Sequence, residues 1–181
     1  ADIDTADAIL TDHGEPFNRE GWEYILRVHG GFLPVVIKAV PEGTVVPVKN
    51  VLATIENTDP KCFWLTTYLE TALLRAVWYP TTVATQSKYI KNVIKEYLEK
   101  TGDPASINFK LHDFGARGVS SMESAGIGGA AHLVNFMGTD TLSGILFARE
   151  FYGADMAGFS IPAAEHSTIT SWGRDDEVEA Y

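Results

Sequence analysis

The sequence predicts an α/β fold in which a small β-rich α+β region is followed by alternating strands and helices. Three observations support this class. Short β-branched runs dominate before residue 60, apolar residues recur at helical spacing between residues 65 and 100, and short apolar runs flank a Gly/Ala-rich segment after residue 105. We therefore divide the chain into a partial α+β region at 1–105 and a first set of β/α units at 106–181.

The amino-terminal part predicts one capped helix and a group of short strands. Asn18 is a suitable cap for a helix over residues 19–28, and Gly30 with Gly31 is expected to end it. Pro41, Glu42 and Gly43 indicate a turn. Three β-branched runs predict strands: 34–40, 44–48 and 51–56.

The central part predicts two helices. Leu65, Leu69 and Leu73 recur every four residues, as on one face of a helix. This helix is expected to stop before Pro80, because proline lacks a backbone N–H and its ring clashes with the preceding turn. A second helix is predicted at about residues 82–100.

Residues 110–140 predict a strand, a helix and a second strand. The apolar runs at 109–114 and 132–136 are short enough for buried parallel strands, and the helix between them provides the crossover that parallel pairing requires. A third strand is predicted at 159–166, after a helix at 141–152. In α/β folds ligands bind at the carboxyl ends of strands, so we expect the chemistry there.

Charge and cysteine content exclude several classes of protein. The net charge is −10 and lysine and arginine form no run, which argues against binding to nucleic acid or anionic membranes. Cys62 is the only cysteine, so an internal disulfide and a cysteine-based structural zinc site are not expected. No HExxH motif indicates a protein-bound metal, and no targeting or membrane-spanning segment is recognisable. A cytoplasmic location is the simplest expectation.

Three long motifs resemble one enzyme family. HDFGARGVSS at 112–121, HLVNFMGTDT at 132–141 and SIPAAEHSTITSWG at 160–173 are similar to nicotinamide phosphoribosyltransferases, as are the stretches at 37–60 and 78–85. The resemblance implies an irregular (β/α) barrel of the type II phosphoribosyltransferase kind. It also implies that this chain is an internal part of a longer enzyme and holds only the first barrel units.

The activity implied by the resemblance is transfer of 5-phosphoribosyl from phosphoribosyl diphosphate to nicotinamide. The products would be nicotinamide mononucleotide and diphosphate, in NAD biosynthesis. The resemblance further implies Mg²⁺ with the phosphoribosyl diphosphate, ATP as an activator, and a homodimer with shared active sites. We expect this stretch alone to be inactive. Two alternatives stay open: a nicotinate-using relative, and a noncatalytic ligand-binding or assembly module.

The resemblance assigns roles to four side chains, each with a simpler alternative. Phe114 would stack on the nicotinamide ring, or would be a core residue. Arg117 would contact the phosphate-bearing substrate, or would be a solvated surface residue. Asp140 would accept a hydrogen bond from the nicotinamide amide and repel nicotinate, or would cap the next helix. His166 would be the catalytic residue near the diphosphate, transiently phosphorylated by ATP, or a structural histidine.

Small residues are expected to complete the same pocket. Ser160, Ile161 and Ala163 would line it through backbone groups and small size, and Glu165 would orient His166. The glycines at 126–129 lack the GK[ST] ending of a phosphate-binding loop and are interpreted as packing positions on the crossover helix. The remaining polar residues of the strands are interpreted as structural: His112, Asp113 and His132.

Overall fold

A computed structural model describes all 181 residues, which form two compact units, residues 1–76 and 77–181. The regular elements are α1 (Asp2–His13), α2 (Arg19–His29), β1 (Val35–Ala39), β2 (Ala53–Asn57), α3 (Leu65–Thr101), β3 (His112–Asp113), α4 (Met122–Leu133), β4 (Gly138–Thr139), α5 (Leu142–Tyr152) and α6 (His166–Ser171). Four 3₁₀ turns lie between them: Pro60–Cys62, Pro104–Phe109, Gly115–Gly118 and Arg174–Asp176. The fold is α/β with two small sheets, as the sequence predicted.

In the first unit, α2 has the caps that its sequence predicts. The Asn18 side chain accepts a hydrogen bond from the Gly21 N–H, and Gly30 ends the helix in the left-handed conformation with φ 63°. Ile25 is the buried residue of this helix and belongs to a small core with Cys62 and Leu65. The 3₁₀ turn after β2 is thereby fixed against α2.

The first sheet is an antiparallel pair of β1 and β2, with Ile37 opposite Ile55. The strand predicted at 44–48 is wrong, because residues 41–52 form turns and irregular backbone. Two prolines explain the difference. The Pro41 carbonyl accepts from the Thr44 N–H at 3.1 Å, and the Pro47 carbonyl accepts from the Asn50 side chain at 3.0 Å. A proline within the run also removes a donor from any ladder.

The two helices predicted in the central part form a single helix, α3, which includes Pro80. The predicted interruption is therefore wrong. Pro80 cannot donate to the Ala76 carbonyl, a loss that costs about 3 kcal/mol in a helix interior, but the helical sequence on both sides is long enough to continue through it. The boundary between the two compact units lies between Ala76 and Val77. No helix in the chain is both long enough and apolar enough to cross a bilayer.

In the second unit, β3 and β4 are parallel and α4 provides the predicted crossover. His112 pairs with Gly138, and Asp113 with Thr139. The strands are shorter than predicted. Residues up to Phe109 form a 3₁₀ turn, so only two residues of the run at 109–114 are in β3.

The two later strand predictions in this unit are wrong. The run at 132–136 is the end of α4 followed by a turn, because a short apolar run does not distinguish a strand from a buried helix end. Of residues 159–166, only Phe159 pairs with a strand, through a single parallel bridge to Gly138, and His166 already begins α6.

Helices α4 and α5 approach each other at two glycines. A Cβ atom placed on Gly144 would lie 2.7 Å from the Cα atom of Gly129, and one on Gly129 would lie 2.8 Å from the Cα atom of Gly144. Such distances allow no side chain at either position. The glycines of the crossover helix thus permit close packing, as predicted, but against a helix and not against the sheet, and the contact fixes the helix that follows β4.

Candidate active site at the ends of three parallel segments

Three backbone segments lie side by side in the second unit, and each is followed by a polar or aromatic side chain. Three backbone hydrogen bonds join the segments. The Asp140 N–H donates to the Asp113 carbonyl (2.9 Å), the Thr139 N–H to the Phe159 carbonyl (2.9 Å), and the Phe159 N–H to the Met137 carbonyl (2.7 Å). The residues that leave this edge are Phe114, Asp140 and Ser160. Because parallel segments end on the same side, these three residues belong to one edge of the sheet.

The closest polar contact at this edge joins His112 and Asp140. The His112 Nε2 atom lies 2.7 Å from the Asp140 Oδ2 atom. The His112 side chain is 9% exposed and that of Asp140 is 39% exposed. The Ser160 hydroxyl and the His112 imidazole hold the pKa of Asp140 below its ordinary value. Because the ionised carboxylate is an acceptor, the imidazole carries its proton on Nε2 and donates it.

Sequence reasoning gave His112 a structural role and did not predict this contact. The signal lies in the strand register. His112 is opposite Gly138, and a Cβ atom on Gly138 would lie only 2.8 Å from the His112 Nδ1 atom. The glycine therefore provides the space in which the imidazole ring is buried. A parallel pairing of His112 with Gly138 would have placed the ring near the end of β4, where Asp140 follows.

The structure does not support the simpler roles considered for Phe114 and Asp140, namely a core residue and a helix cap. Phe114 is 55% exposed, so it is not a core residue, and its ring centroid lies 4.5 Å from that of His112 with an interplanar angle of 37°. Asp140 does not cap α5, because the cap residue is Thr141 and its helix has no side-chain cap bond. Both side chains are thus available at the surface of the sheet edge.

His132 has a structural role, as the sequence predicted. Its Nε2 atom lies 3.0 Å from the Gly138 carbonyl oxygen, and its ring stacks on Phe136 with centroids 5.4 Å apart. Burial lowers the pKa of His132, so the neutral ring is the favoured form. This hydrogen bond joins the end of α4 to β4.

The other residues predicted for the site lie on the segments that follow. Arg117 is on the 3₁₀ turn Gly115–Gly118, is exposed, and has neither a hydrogen bond nor an ion pair. His166 begins α6 with its side chain 89% exposed, and its Nδ1 atom lies 3.0 Å from Glu165 Oε1. Neither residue makes a hydrogen bond or ion pair with the His112–Asp140 pair. Ile161 and Ala163 are exposed in the segment before α6.

A cavity of about 250 Å³ adjoins β3. Residues that bound it include His112 from β3, Gly128 and His132 from α4, and Tyr79 from α3. Phe114, Arg117, Asp140 and His166 do not line it. The cavity and the polar contact at the sheet edge therefore share His112.

Comparison with known proteins identifies the carboxy-terminal part of the chain. The sequence profile of the Nicotinate phosphoribosyltransferase (NAPRTase) family matches residues 109–181. This range contains β3, β4, the segment from Phe159 to α6, and all the site residues described above.

Curated relatives extend the similarity to the remainder of the chain. The chain is 63% identical over 183 aligned positions, covering all of its length, to a nicotinamide phosphoribosyltransferase of Xanthomonas campestris pv. campestris, of which it spans 39%. It is 38% identical, over 88% of its length, to a nicotinamide phosphoribosyltransferase of Acinetobacter baylyi, of which it spans 32%. A relative of the same name from Mycoplasma genitalium is 37% identical over 82% of the chain and is covered to 32%. The chain thus spans less than two fifths of the length of these relatives, and it belongs to the nicotinamide phosphoribosyltransferase family.

Proposed function

We propose that the protein containing this chain transfers 5-phosphoribosyl from phosphoribosyl diphosphate to nicotinamide, giving nicotinamide mononucleotide and diphosphate for NAD biosynthesis. The observation that carries the proposal is the ionised Asp140, held by His112 next to the exposed ring of Phe114. A flat heterocycle with an amide group fits this combination. The names of the relatives support the same substrate.

Recognition of nicotinamide would use the ring of Phe114 and the carboxylate of Asp140. Stacking on an aromatic face adds on the order of 1 kcal/mol beyond the burial of the ring. A carboxylate has about four lone-pair positions, so Asp140 can accept the amide N–H while His112 and Ser160 remain in place. Nicotinate would bring a second carboxylate against Asp140, and the repulsion between like charges disfavours it.

In the reaction, the pyridine nitrogen of nicotinamide attacks the anomeric carbon of the phosphoribosyl group. The bond from this carbon to the diphosphate oxygen breaks, and the electron pair leaves with diphosphate. No general base is required, because the pyridine nitrogen has a free lone pair. The work of the protein is to position the ring and to stabilise the leaving charge. Arg117, which has no partner in the chain, is the proposed contact for a phosphate group.

Mg²⁺ belongs in this proposal to the substrate and not to a site built by the chain. The two carboxylates at the sheet edge already have partners: Asp113 Oδ1 accepts from the Gly115 N–H at 2.7 Å, and Asp140 Oδ2 accepts from His112. They do not form a cage of oxygen ligands. Mg²⁺ commonly binds substrate phosphates together with one or two carboxylates, so it would arrive with phosphoribosyl diphosphate.

His166 is the proposed acceptor of a phosphoryl group from ATP. Its Nδ1 atom lies next to Glu165, which leaves the Nε2 atom on the exposed side of the ring. Attack of Nε2 on the γ-phosphorus would break the bond to ADP and place a phosphoryl group on the ring. Ser160, Ile161 and Ala163 lie on the segment leading to α6. They would line the pocket between the sheet edge and His166.

The architecture of the whole protein is also part of the proposal. The α+β region at 1–105 would be followed by an irregular (β/α) barrel of the type II phosphoribosyltransferase kind, beginning at 106–181. The protein would act in the cytoplasm as a homodimer with shared active sites. The exposed ring of Phe114 supports this arrangement, because a nicotinamide ring stacked on it would keep its own outer face available for an aromatic side chain from a second subunit.

The test is an assay of the full-length protein with phosphoribosyl diphosphate, Mg²⁺ and either nicotinamide or nicotinate. Formation of nicotinamide mononucleotide that depends on phosphoribosyl diphosphate supports the proposal. Preference for nicotinate would instead support the alternative that the family profile names. Nicotinamide binding without product would support a noncatalytic module. The 181-residue stretch assayed alone is expected to give no product.

A further inference from the structure

A second group of reactive side chains lies in the first unit, apart from the residues used above. His29, Asp59 and Cys62 each direct one ligand atom to a common region, and these atoms all lie within 4.8 Å of one another. We propose that these three side chains form a binding site for one divalent transition-metal ion of the zinc type. Phosphoribosyl transfer as described above does not require this ion, so the two proposals stand independently.

The local sequence builds this group from a helix end and a 3₁₀ turn. His29 is the last residue of α2. Asp59 caps the 3₁₀ turn Pro60–Cys62, with its Oδ1 atom accepting from the Lys61 N–H at 2.9 Å. Side chains three residues apart eclipse each other on a 3₁₀ turn, so Cys62 faces the same side as Asp59. The Asp59 Oδ2 atom lies 2.8 Å from His29 Nε2.

The Cys62 side chain is a second and independent indication of a ligand. It is fully buried, and its sulfur has no hydrogen-bond partner in the chain. A thiolate here would lie beside the Asp59 carboxylate, and a divalent cation between them would neutralise both charges. Cysteine, histidine and aspartate are all established ligand types for zinc.

Neighbouring groups hold the Asp59 carboxylate in a fixed orientation. The Lys61 backbone N–H, then His29 and Tyr24, hold the pKa of Asp59 below its ordinary value. The Tyr24 hydroxyl donates to Asp59 Oδ2 at 2.9 Å. Outer contacts of this kind orient metal-binding carboxylates.

The three side chains need small movements to form an open tetrahedral site, because the His29 Nε2 and Asp59 Oδ2 atoms, 2.8 Å apart, would have to separate. Bond lengths of about 2.3 Å to sulfur and about 2.0–2.2 Å to nitrogen or oxygen require ligand atoms roughly 3.3–3.8 Å apart. The observed upper separation of 4.8 Å therefore needs a rotamer adjustment of about 1 Å. The side chains of His29 and Asp59 are 27% and 17% exposed. One side is thus open for entry and for water as the fourth ligand.

Binding of the metal ion breaks and forms a small set of bonds. The S–H bond of Cys62 breaks, a bond from sulfur to the metal forms, and the proton passes to the buffer. The proton on His29 Nε2 moves to Nδ1 by exchange with solvent, and the hydrogen bond between His29 and Asp59 is replaced by one bond from each residue to the ion. No oxidant or reductant takes part.

The experiment is a titration of the metal-free intact protein with Co²⁺, followed by competition with Zn²⁺. We expect one equivalent of Co²⁺ to produce thiolate-to-cobalt charge-transfer absorption in the near ultraviolet, and Zn²⁺ to remove it. Cys62→Ser should abolish the absorption. His29→Gln should weaken Co²⁺ binding at least about tenfold, while His13→Gln, at the exposed end of α1, should leave it unchanged.

Absence of the absorption in the unaltered protein would overturn the proposal, and so would absorption of equal strength in the Cys62→Ser variant. An unchanged affinity in His29→Gln would overturn it as well, and this variant covers the case in which Cys62→Ser does not fold. Circular dichroism verifies the fold of each variant. The His29→Gln variant should retain phosphoribosyl transfer, so loss of metal binding and failure of the proposed activity are distinguishable.

Discussion

The imidazole of His112 donates from Nε2 to the Asp140 carboxylate across 2.7 Å, although the two residues are 28 positions apart in the chain. The contact exists because β3 and β4 are parallel neighbours and because Gly138 leaves space for the ring. It fixes one oxygen of Asp140 and, after the larger effect of the Ser160 hydroxyl, helps to lower the pKa of the carboxylate. His112 is therefore a positioning residue in the proposed site.

Replacing His112 should weaken nicotinamide binding more than it slows turnover. His112→Phe keeps an aromatic ring but removes the donor, so Asp140 loses its orientation, and we expect KM for nicotinamide to rise roughly tenfold with a smaller change in kcat. Steady-state kinetics of the full-length protein measure this. His112→Asn, whose amide can donate, should recover part of the loss, and His13→Phe is the control. Equal kinetics for His112→Phe and the unaltered protein would contradict the positioning role.

Replacing Asp140 should change the choice between the two pyridine bases. Asp140→Asn removes the charge that repels nicotinate, so the ratio of kcat/KM for nicotinamide to that for nicotinate should fall roughly tenfold or more. Both bases are assayed in parallel. Asp155→Asn, an exposed carboxylate in the loop after α5, is the matched control. A ratio that stays constant in Asp140→Asn would count against recognition of the amide by this carboxylate.

The contact between α4 and α5 should be intolerant of a single methyl group. Gly144→Ala places a Cβ atom 2.7 Å from backbone of Gly129, which has no rotamer to change, and we expect the free energy of unfolding to fall by about 1–3 kcal/mol. Gly118→Ala is the control, because no atom lies within 4 Å of its Cβ position. Denaturant unfolding compares the two variants, and equal midpoints would contradict the close approach of the helices.

His132 should make the folded state less stable in mild acid. Its pKa is lowered in the folded state by burial, so between this value and about 6.5 the unfolded chain binds more protons. Stability is then full above about pH 6.5 and falls as the pH decreases. Denaturant unfolding is measured from pH 7.5 to 5. As the pH falls, the free energy of unfolding should decrease less in His132→Gln than in the unaltered protein. Parallel pH profiles would exclude this contribution.

The sequence predicted the order of elements in the second unit better than their lengths. The crossover helix and a parallel strand pair were predicted and are present, but the second strand of the pair is Gly138–Thr139 and not the predicted run at 132–136. The run at 132–136 was assigned to a strand because buried helix ends and buried strands have the same composition. The backbone hydrogen bond from the Phe136 N–H to the His132 carbonyl at 3.2 Å, four residues back, marks the run as a helix end.

The site was predictable in part. Phe114 and Asp140 are at strand ends, which the motifs indicate, and they are neighbours in the structure through His112. The contact of His112 depends on the register of β3 and β4, which residue types alone do not specify. At Pro80 the prediction failed for a different reason. Proline was expected to end the helix, but the helical sequence on both sides of it outweighs that local preference.

The two glycines that bring α4 and α5 together also restrict which second substitutions can restore the stability of a variant. Both positions already carry the smallest residue, so a bulky replacement at one cannot be offset by a smaller residue at the other. Second-site suppressors must instead come from residues beside the contact, such as Phe147, whose ring packs against Gly126. A genetic screen for restored growth should therefore recover changes around this helix pair and not within it.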